Sequence, residues 1–141
     1  MSLVHTLSIF CEDIRLEAND QRTIVGSFKD AVSVNAVPGM FPKLCIYTRI
    51  NVIIDVEIES LKLKLVGPKD QTLASNEVSL ELLKENKLDA IKKGHPTYGI
   101  ISEVKMVSFK IEEAGFFNLF IELNGQEYLS GFLNVLHSPE Q

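Results

Sequence analysis

The stretch Leu-Lys-Leu-Lys-Leu at residues 61–65 decides the fold class, because it alternates leucine with lysine without interruption. Successive side chains of a β-strand point to opposite faces, so the leucines share one face and the lysines share the other. An antiparallel strand that is buried on one face and solvated on the other shows this alternation. The stretch therefore predicts a half-buried strand of an antiparallel sheet over residues 58–66.

Strands are also predicted on both sides of this stretch. Residues 117–123 alternate in the same way and lead into Asn124-Gly125, a pair that tolerates the positive φ angles of a tight hairpin turn. Residues 44–54 are rich in β-branched and aromatic side chains and contain neither Pro nor Gly, which indicates a central strand. Further strands are predicted at residues 3–11, 22–28, 30–37, 100–111 and 127–135.

One segment follows a helical period instead. Apolar residues recur at helical spacing between Ser79 and Lys93. Gly94 suits the left-handed residue that ends a helix, and Pro96 prevents its continuation. Since no repeat or linker interrupts the chain, we predict a single domain over residues 1–141. The predicted fold is mostly β, a two-sheet antiparallel β-sandwich, immunoglobulin-like or related, with one short helix.

Composition and charge exclude several kinds of partner. Hydrophobic residues make up 45% and charged residues 23% of the chain, which is ordinary globular usage. The net charge of -5 repels a phosphate backbone, so we expect no nucleic acid partner. No apolar run approaches the ~20 residues of a membrane-spanning helix, so no membrane partner is expected. Residues 1–11 lack the basic region and cleavage site of a signal peptide, which favours a cytoplasmic location.

Cys11 and Cys45 both lie in apolar, strand-like segments and form no C-x-x-C pair. Two reduced thiols in the core are the favoured interpretation. A disulfide between them is the alternative, because facing strands of a sandwich can bring two such positions together. Geometry decides between the two, and the sequence leaves both open.

The residues needed for catalysis or metal binding form no recognisable set. No G-x-S-x-G, H-E-x-x-H or EF-hand pattern is present, so we predict no catalytic, metal-binding or cofactor-binding residue. Among the histidines, only His95 lies in a loop suited to chemistry. An enzyme that uses His95 with Glu103 or Asp89 is therefore the least favoured alternative.

Two segments are candidate interaction surfaces. Glu12, Asp13 and Arg15 directly follow a predicted strand. They form either a charged corner that fixes the exit of the strand or a contact surface for a protein partner. Met40 and Phe41 lie between two prolines in a predicted loop, where they either cover the end of the sandwich or form an exposed apolar knob.

Several short segments together resemble a bacterial family of small β-sandwich domains of unknown function. These segments are Cys11–Arg15, Thr23–Phe28, Pro42–Leu44, and Gly115–Phe117 with Asn124-Gly125. The resemblance implies a sandwich fold without a particular activity, and it transfers no catalytic residue. The chain departs from the family pattern at Phe117, where a tyrosine is expected.

The leading functional hypothesis is a non-catalytic binding or protein-interaction module. Such a module would act through loops at one end of the sandwich or through an exposed sheet edge, with another protein or a second copy of the chain as its partner. The alternative is a structural or accessory subunit of a phage-derived, secretion or defence assembly.

Overall fold

The computed structural model describes residues 4–138, in which the chain forms nine β-strands, one α-helix and a short 3₁₀ turn. The predicted strand at residues 3–11 begins at Leu3, which lies outside the described residues. In chain order the elements are β1 (Val4–Leu16), the 3₁₀ turn (Ala18–Asp20), β2 (Arg22–Ser27), β3 (Ala31–Val34), β4 (Gly39–Ile53), β5 (Leu61–Val66), β6 (Thr72–Glu77), α1 (Leu80–Lys93), β7 (Thr97–Ile111), β8 (Gly115–Leu123) and β9 (Gln126–His137).

The strands form two sheets that pack against each other. The first sheet has the order β2-β1-β4-β7 and the second has the order β3-β9-β8-β5-β6. The main hydrophobic core contains side chains from both sheets, such as Ile46 of β4 and Ile121 of β8. The predicted two-sheet sandwich with one helix is confirmed. The central position of residues 44–54 is also confirmed, because β1 and β7 flank β4.

One pair of strands departs from the antiparallel pattern. β3 runs parallel to β9, with Ala31 opposite Asn134 and Val34 opposite His137. Strands joined by a hairpin must be antiparallel, but β3 and β9 are far apart in the sequence and meet only through tertiary folding. The prediction of a wholly antiparallel sandwich is therefore wrong at this edge. β3 is also shorter than the strand predicted at residues 30–37.

The alternating segments behave as predicted. The leucines of residues 61–65 are buried, and the lysines between them are partly exposed on the other face of β5. β8 pairs with β9 as a hairpin across Asn124 and Gly125, whose φ angles are 50° and 84°. Both angles are positive, as the predicted tight turn requires.

β6 was not predicted, because its sequence carries no alternation. Of its side chains only Ala74 is partly buried, and the others are exposed. β6 is the last strand of the second sheet and pairs only with β5. Its conformation therefore depends on backbone pairing with β5 and not on a buried face of its own.

α1 begins and ends where the sequence predicts. The Ser79 hydroxyl accepts a hydrogen bond from the Leu82 backbone N–H at 3.3 Å, and Gly94 is left-handed with a φ of 72°. These two residues cap the helix at its two ends. Leu83 and Ala90 are the buried residues of α1, which packs against β7.

β7 changes the face that it presents to the core at Ser108. Before this residue, the odd-numbered side chains point outward, and Ile101 and Val107 are 50% and 74% exposed. Ser108 has a φ of 54°, and after it Phe109 and Ile111 pack against the core. These four apolar residues are all odd-numbered, so an unbroken alternation would place them on one face of β7. Ile101 and Val107 lie on the opposite face instead, because the alternation shifts by one residue at Ser108.

Candidate functional site

The predicted charged corner at Glu12, Asp13 and Arg15 lies inside β1 and not after it. The prediction that the strand ends before this segment is therefore wrong. β2 extends the strand as a hairpin, because it pairs with both Asp13 and Arg15. The corner itself lies further along the chain, where the Thr23 hydroxyl donates a hydrogen bond to the Glu17 carboxylate at 2.7 Å.

Asp13 is the residue of this segment with a charged partner. Its Oδ1 atom lies 2.9 Å from Lys43 Nζ and accepts a hydrogen bond from the Ile14 backbone N–H at 2.8 Å. These bonds, the one from Lys43 foremost, lower the pKa of the Asp13 carboxyl. Arg15 is exposed and makes no ion pair within residues 4–138. Arg15 therefore does not pin the corner, and the role of the segment as a contact surface stays a prediction.

The β1–β2 hairpin folds over the outer face of the first sheet. β2 and β7 are the two terminal strands of that sheet, yet Arg22 of β2 forms an ion pair with Glu103 of β7. Lys105 of β7 also donates a hydrogen bond to the Ile14 carbonyl at 2.9 Å. The hairpin therefore crosses β4 and holds two charged side chains of β7 on the outer face.

Beneath this hairpin lies a second hydrophobic cluster. Cys11, Ile14 and Cys45 form it, and Ile24 and Tyr47 pack against it. Cys11 and Cys45 lie opposite each other in the β1–β4 pair, and both are buried, free thiols. Burial raises the pKa of Cys11 to about 11 and also raises the pKa of Cys45. Because a protonated thiol is a poor nucleophile, the two side chains serve packing at neutral pH.

Met40 and Phe41 lie in the first residues of β4, where they already pair with β7. The prediction of a loop is wrong here, because strand pairing starts directly after the cis Val37-Pro38 peptide bond. Met40 is exposed, whereas Phe41 packs against the main core beside Phe28, with 5.8 Å between the ring centroids. No hydrogen bond or ion pair within the described chain joins Met40 or Phe41 to the charged segment of β1.

A shallow cleft of about 420 Å³ lies between α1 and the adjoining parts of β4 and β7. Its polar lining includes Arg49, Asn51, Asn86, Asp89 and His95. Of the two carboxylates considered as partners of His95, the cleft contains Asp89, which also pairs with Lys93 at 2.9 Å. Glu103 is bound to Arg22 and does not line the cleft. Catalysis by His95 stays a prediction.

The two sheets approach closely where β1 faces β9, which we call the β1/β9 side. Hydroxyl groups link Thr6 to Ser130, Ser130 to Ser8, and Ser8 to Thr48, and each O···O distance is 2.7 Å. A Cβ atom at Gly131 would lie 2.7 Å from the backbone oxygen of Ser8, so glycine is needed for this approach. The polar side chains of this side therefore satisfy one another across the two sheets.

The sheets remain apart where their terminal strands β7 and β6 lie, which we call the β6/β7 side. A groove of about 300 Å³ runs between these strands. Ile46, Leu65 and Leu119 of the main core contribute to its lining, and Ala74 of β6 and Val104 of β7 lie along it. The groove therefore connects the core to the surface.

The backbone of β7 presents hydrogen-bonding groups to this side. A residue of an antiparallel strand directs both its N–H and its C=O either toward its partner or away from it. The Pro96 carbonyl accepts a bond from Ile54, which continues the β4–β7 pairing, whereas the Gly99 carbonyl accepts a bond from the Asn86 side chain of α1 at 2.7 Å. Even-numbered residues therefore face β4 and odd-numbered residues face away.

We call the stretch from Ile101 to Val107 the free edge, because no strand in the described part of the chain pairs with its outward side. Its local sequence pattern does not distinguish it from a strand inside a sheet. Apolar and polar residues alternate along every half-buried strand, whatever its position in a sheet. The backbone of such a strand becomes accessible only when the strand lies at the end of a sheet. The sequence did contain one signal, since residues 100–111 hold neither Pro nor Gly to protect an edge.

Two further observations concern metals and membranes. No group of three or more His, Cys, Asp or Glu side chains among residues 4–138 is arranged to hold a metal ion. Over the same residues, no helix has the length and the apolar character needed to cross a membrane.

A family model described as "Family of unknown function (DUF6941)" matches residues 6–136. The chain belongs to this family. The match runs from β1 to β9, so the DUF6941 assignment and the sandwich concern the same part of the chain. Neither a curated protein nor a solved structure matches the chain. Membership of a family of unknown function is therefore confirmed, and the bacterial origin stays a prediction.

Proposed function

We propose that this protein is a non-catalytic protein-interaction module that receives an extended segment of a partner protein at the free edge of β7. The observation that carries the proposal is the row of outward-facing N–H and C=O groups on the odd-numbered residues from Ile101 to Val107. An added strand would satisfy these groups and extend the first sheet, which is the recognition mode called β-augmentation.

The free edge lacks the features that usually protect an exposed strand. Natural β-proteins use prolines, bulges, short edge strands or projecting lysines for this purpose. β7 is 15 residues long, and its pairing with β4 shows no register shift. Its charged side chains are held on the outer face, Glu103 by Arg22 and Lys105 by the Ile14 carbonyl. A partner strand can therefore approach the backbone of β7.

The groove of the β6/β7 side gives this edge a basis for selectivity. Alternate side chains of an added strand would point toward the groove, because strand side chains alternate between faces. Ala74 and Val104 lie along the groove and Leu119 lines its deeper part. Backbone bonds would supply affinity, and this apolar lining would favour apolar side chains at every second position of the partner.

A displayed library of random peptides, selected on the full chain, tests the proposal. We expect the selected peptides to alternate apolar and polar residues and to bind Val107→Pro at least about tenfold more weakly than the wild type. Val107→Pro removes an outward N–H and leaves the bonds to β4 in place. Leu129→Ser is the matched control, since Leu129 lies on β9 and is 53% exposed.

We expect Leu129→Ser to bind the selected peptides as the wild type does. A library that yields no binder for a chain that is monomeric at the concentration of the selection would overturn the proposal. So would peptides that bind Val107→Pro as tightly as the wild type, because the contact would then lie away from the free edge.

A further inference from the structure

The outward-pointing side chains of the free edge form a self-complementary series. In chain order they are Ile101, Glu103, Lys105 and Val107, which are apolar, acidic, basic and apolar. Read from residue 107 back to residue 101, the series has Lys105 in the position that Glu103 takes in the forward direction. Its ends are apolar in both directions, and these end residues are 50% and 74% exposed. Two copies of this series can therefore match each other when they run antiparallel.

We propose that the partner at the free edge is a second copy of this chain, paired antiparallel so that Val104 lies opposite Val104 of the second copy. This inference rests on the proposed function and names its partner. In this register Glu103 of each copy faces Lys105 of the other, and Ile101 faces Val107. The pairing joins the four-stranded first sheets of the two copies into one continuous sheet.

The charges select this register over its neighbours. Residues whose backbone N–H and C=O groups point to the free edge must pair with residues of the same kind in the second copy. Odd-numbered positions of one copy therefore meet odd-numbered positions of the other. A symmetry axis at Glu103 would place two carboxylates directly opposite each other. An axis at Lys105 would do the same with two ammonium groups. Like charges in this position are destabilising, whereas the axis at Val104 pairs opposite charges on both sides of it.

The accessible length of β7 has the same centre. Toward the start of β7, α1 limits the accessible backbone, because the Asn86 side chain donates a hydrogen bond to the Gly99 carbonyl. On the other side the regular strand ends at Ser108, which has a φ of 54°. The stretch between these two points is the free edge, and Val104 is its middle residue. The charge pattern and the accessible length select the same register independently.

Sedimentation equilibrium of the full chain, from micromolar to millimolar concentration, tests the inference with a pair of charge reversals. Glu103→Lys leaves two bases on the free edge, and Lys105→Glu leaves two acids. We expect each variant alone to self-associate roughly tenfold more weakly than the wild type. An equimolar mixture of the two should form a heterodimer about as tightly as the wild type forms its homodimer, because the charges at positions 103 and 105 of one chain then meet opposite charges of the other chain.

The mixture separates association from folding, since damage within one chain cannot be repaired by the other chain. Lys69→Glu is the matched control, because Lys69 also forms an ion pair, with Glu113, and does not line the groove of the β6/β7 side. We expect it to leave self-association unchanged. Circular dichroism of each variant checks that the sandwich is retained.

Two outcomes would overturn the second-copy inference. One is a wild type that stays monomeric at millimolar concentration, and the other is a mixture that associates no better than the single variants. The proposed function has its own test in the displayed peptides. If the wild type is monomeric while selected peptides bind the free edge, the second copy is excluded as the partner and the interaction module stands. If no peptide binds either, both proposals fail.

Discussion

The two stacked sheets contact each other in different ways at the β1/β9 side and at the β6/β7 side of the sandwich. At the β1/β9 side, the Ser8 hydroxyl is hydrogen-bonded to the hydroxyls of Thr48 and Ser130, and Gly131 lets the strands approach. At the β6/β7 side the terminal strands stay apart and a groove reaches the core. Side-chain bonds complete the first side, whereas the second leaves the β7 backbone accessible in the described part of the chain.

Polar side chains account for this difference. A buried hydroxyl is costly unless it is hydrogen-bonded, so the hydroxyls of the β1/β9 side hold the two sheets together. Ala74 and Val104 along the groove carry no such requirement, and the sheets can separate there. The side that the protein's own polar bonds do not close is the side on which we propose the interaction surface.

The largest expected effect is a difference in the free energy of unfolding between proline substitutions at two neighbouring residues of β7. Met106→Pro should lower the free energy of unfolding by about 3 kcal/mol, because it removes the N–H directed to β4 and leaves its acceptor on β4 without a hydrogen bond. Val107→Pro should cost less than about 1 kcal/mol, because its N–H faces the free side. Urea unfolding of both variants measures the difference, and equal losses would contradict the assignment of the free edge.

The next largest effect is expected when one side chain on each side is enlarged, because only the β1/β9 side lacks room for it. Gly131→Ala should lower the free energy of unfolding by about 2 kcal/mol, because its Cβ atom would meet the Ser8 backbone at 2.7 Å. Ala74→Val adds more volume, yet it should cost less than about 0.5 kcal/mol because it lies along an open groove. Urea unfolding compares the two. A larger loss for Ala74→Val would show that the groove is closed in solution.

Removing one hydroxyl should have a smaller effect at the β1/β9 side. Thr48→Val keeps the shape of the side chain and deprives Ser8 of one partner, so it should cost about 1 kcal/mol. Ser8 retains its bond to Ser130, which limits the loss. The control is Thr72→Val on β6, where the residue is exposed and the change should be close to zero. Chemical denaturation of the two variants decides whether the hydroxyl chain contributes to stability.

Ionisation of the thiols beneath the β1–β2 hairpin should have the smallest effect, with a change in stability that appears only at alkaline pH. The pKa of Cys11 is raised to about 11, whereas a thiol in the unfolded chain ionises near about 8.5. The unfolded chain therefore releases its proton first, and stability should fall as the pH rises from about 8.5 toward 11. Urea unfolding at several pH values should show a shallower fall for Cys11→Ala, and identical slopes would refute this role of burial.

Several elements followed directly from local patterns in the sequence. The alternation of residues 61–65 predicted a half-buried strand, and Asn124 with Gly125 predicted the hairpin turn, because each signal depends only on neighbouring residues. Ser79 and Gly94 marked the ends of α1 for the same reason. The candidate site could not be predicted in this way. The sequence places Ile101 and Val107 on a strand, but it does not reveal that Ser108 shifts their face outward.

Local sequence patterns specify the two-sheet β-architecture, the helix α1 and the family of this protein. Long-range folding sets the parallel pairing of β3 with β9, the crossing of the β1–β2 hairpin to β7, and the terminal positions of β7 and β6 in their sheets. The two kinds of feature differ because of what each residue can encode. Side-chain periodicity specifies which face of a strand is buried, but the backbone groups along its edges are nearly the same for every residue type. Whether an edge is paired or free therefore depends on segments that are distant in the sequence.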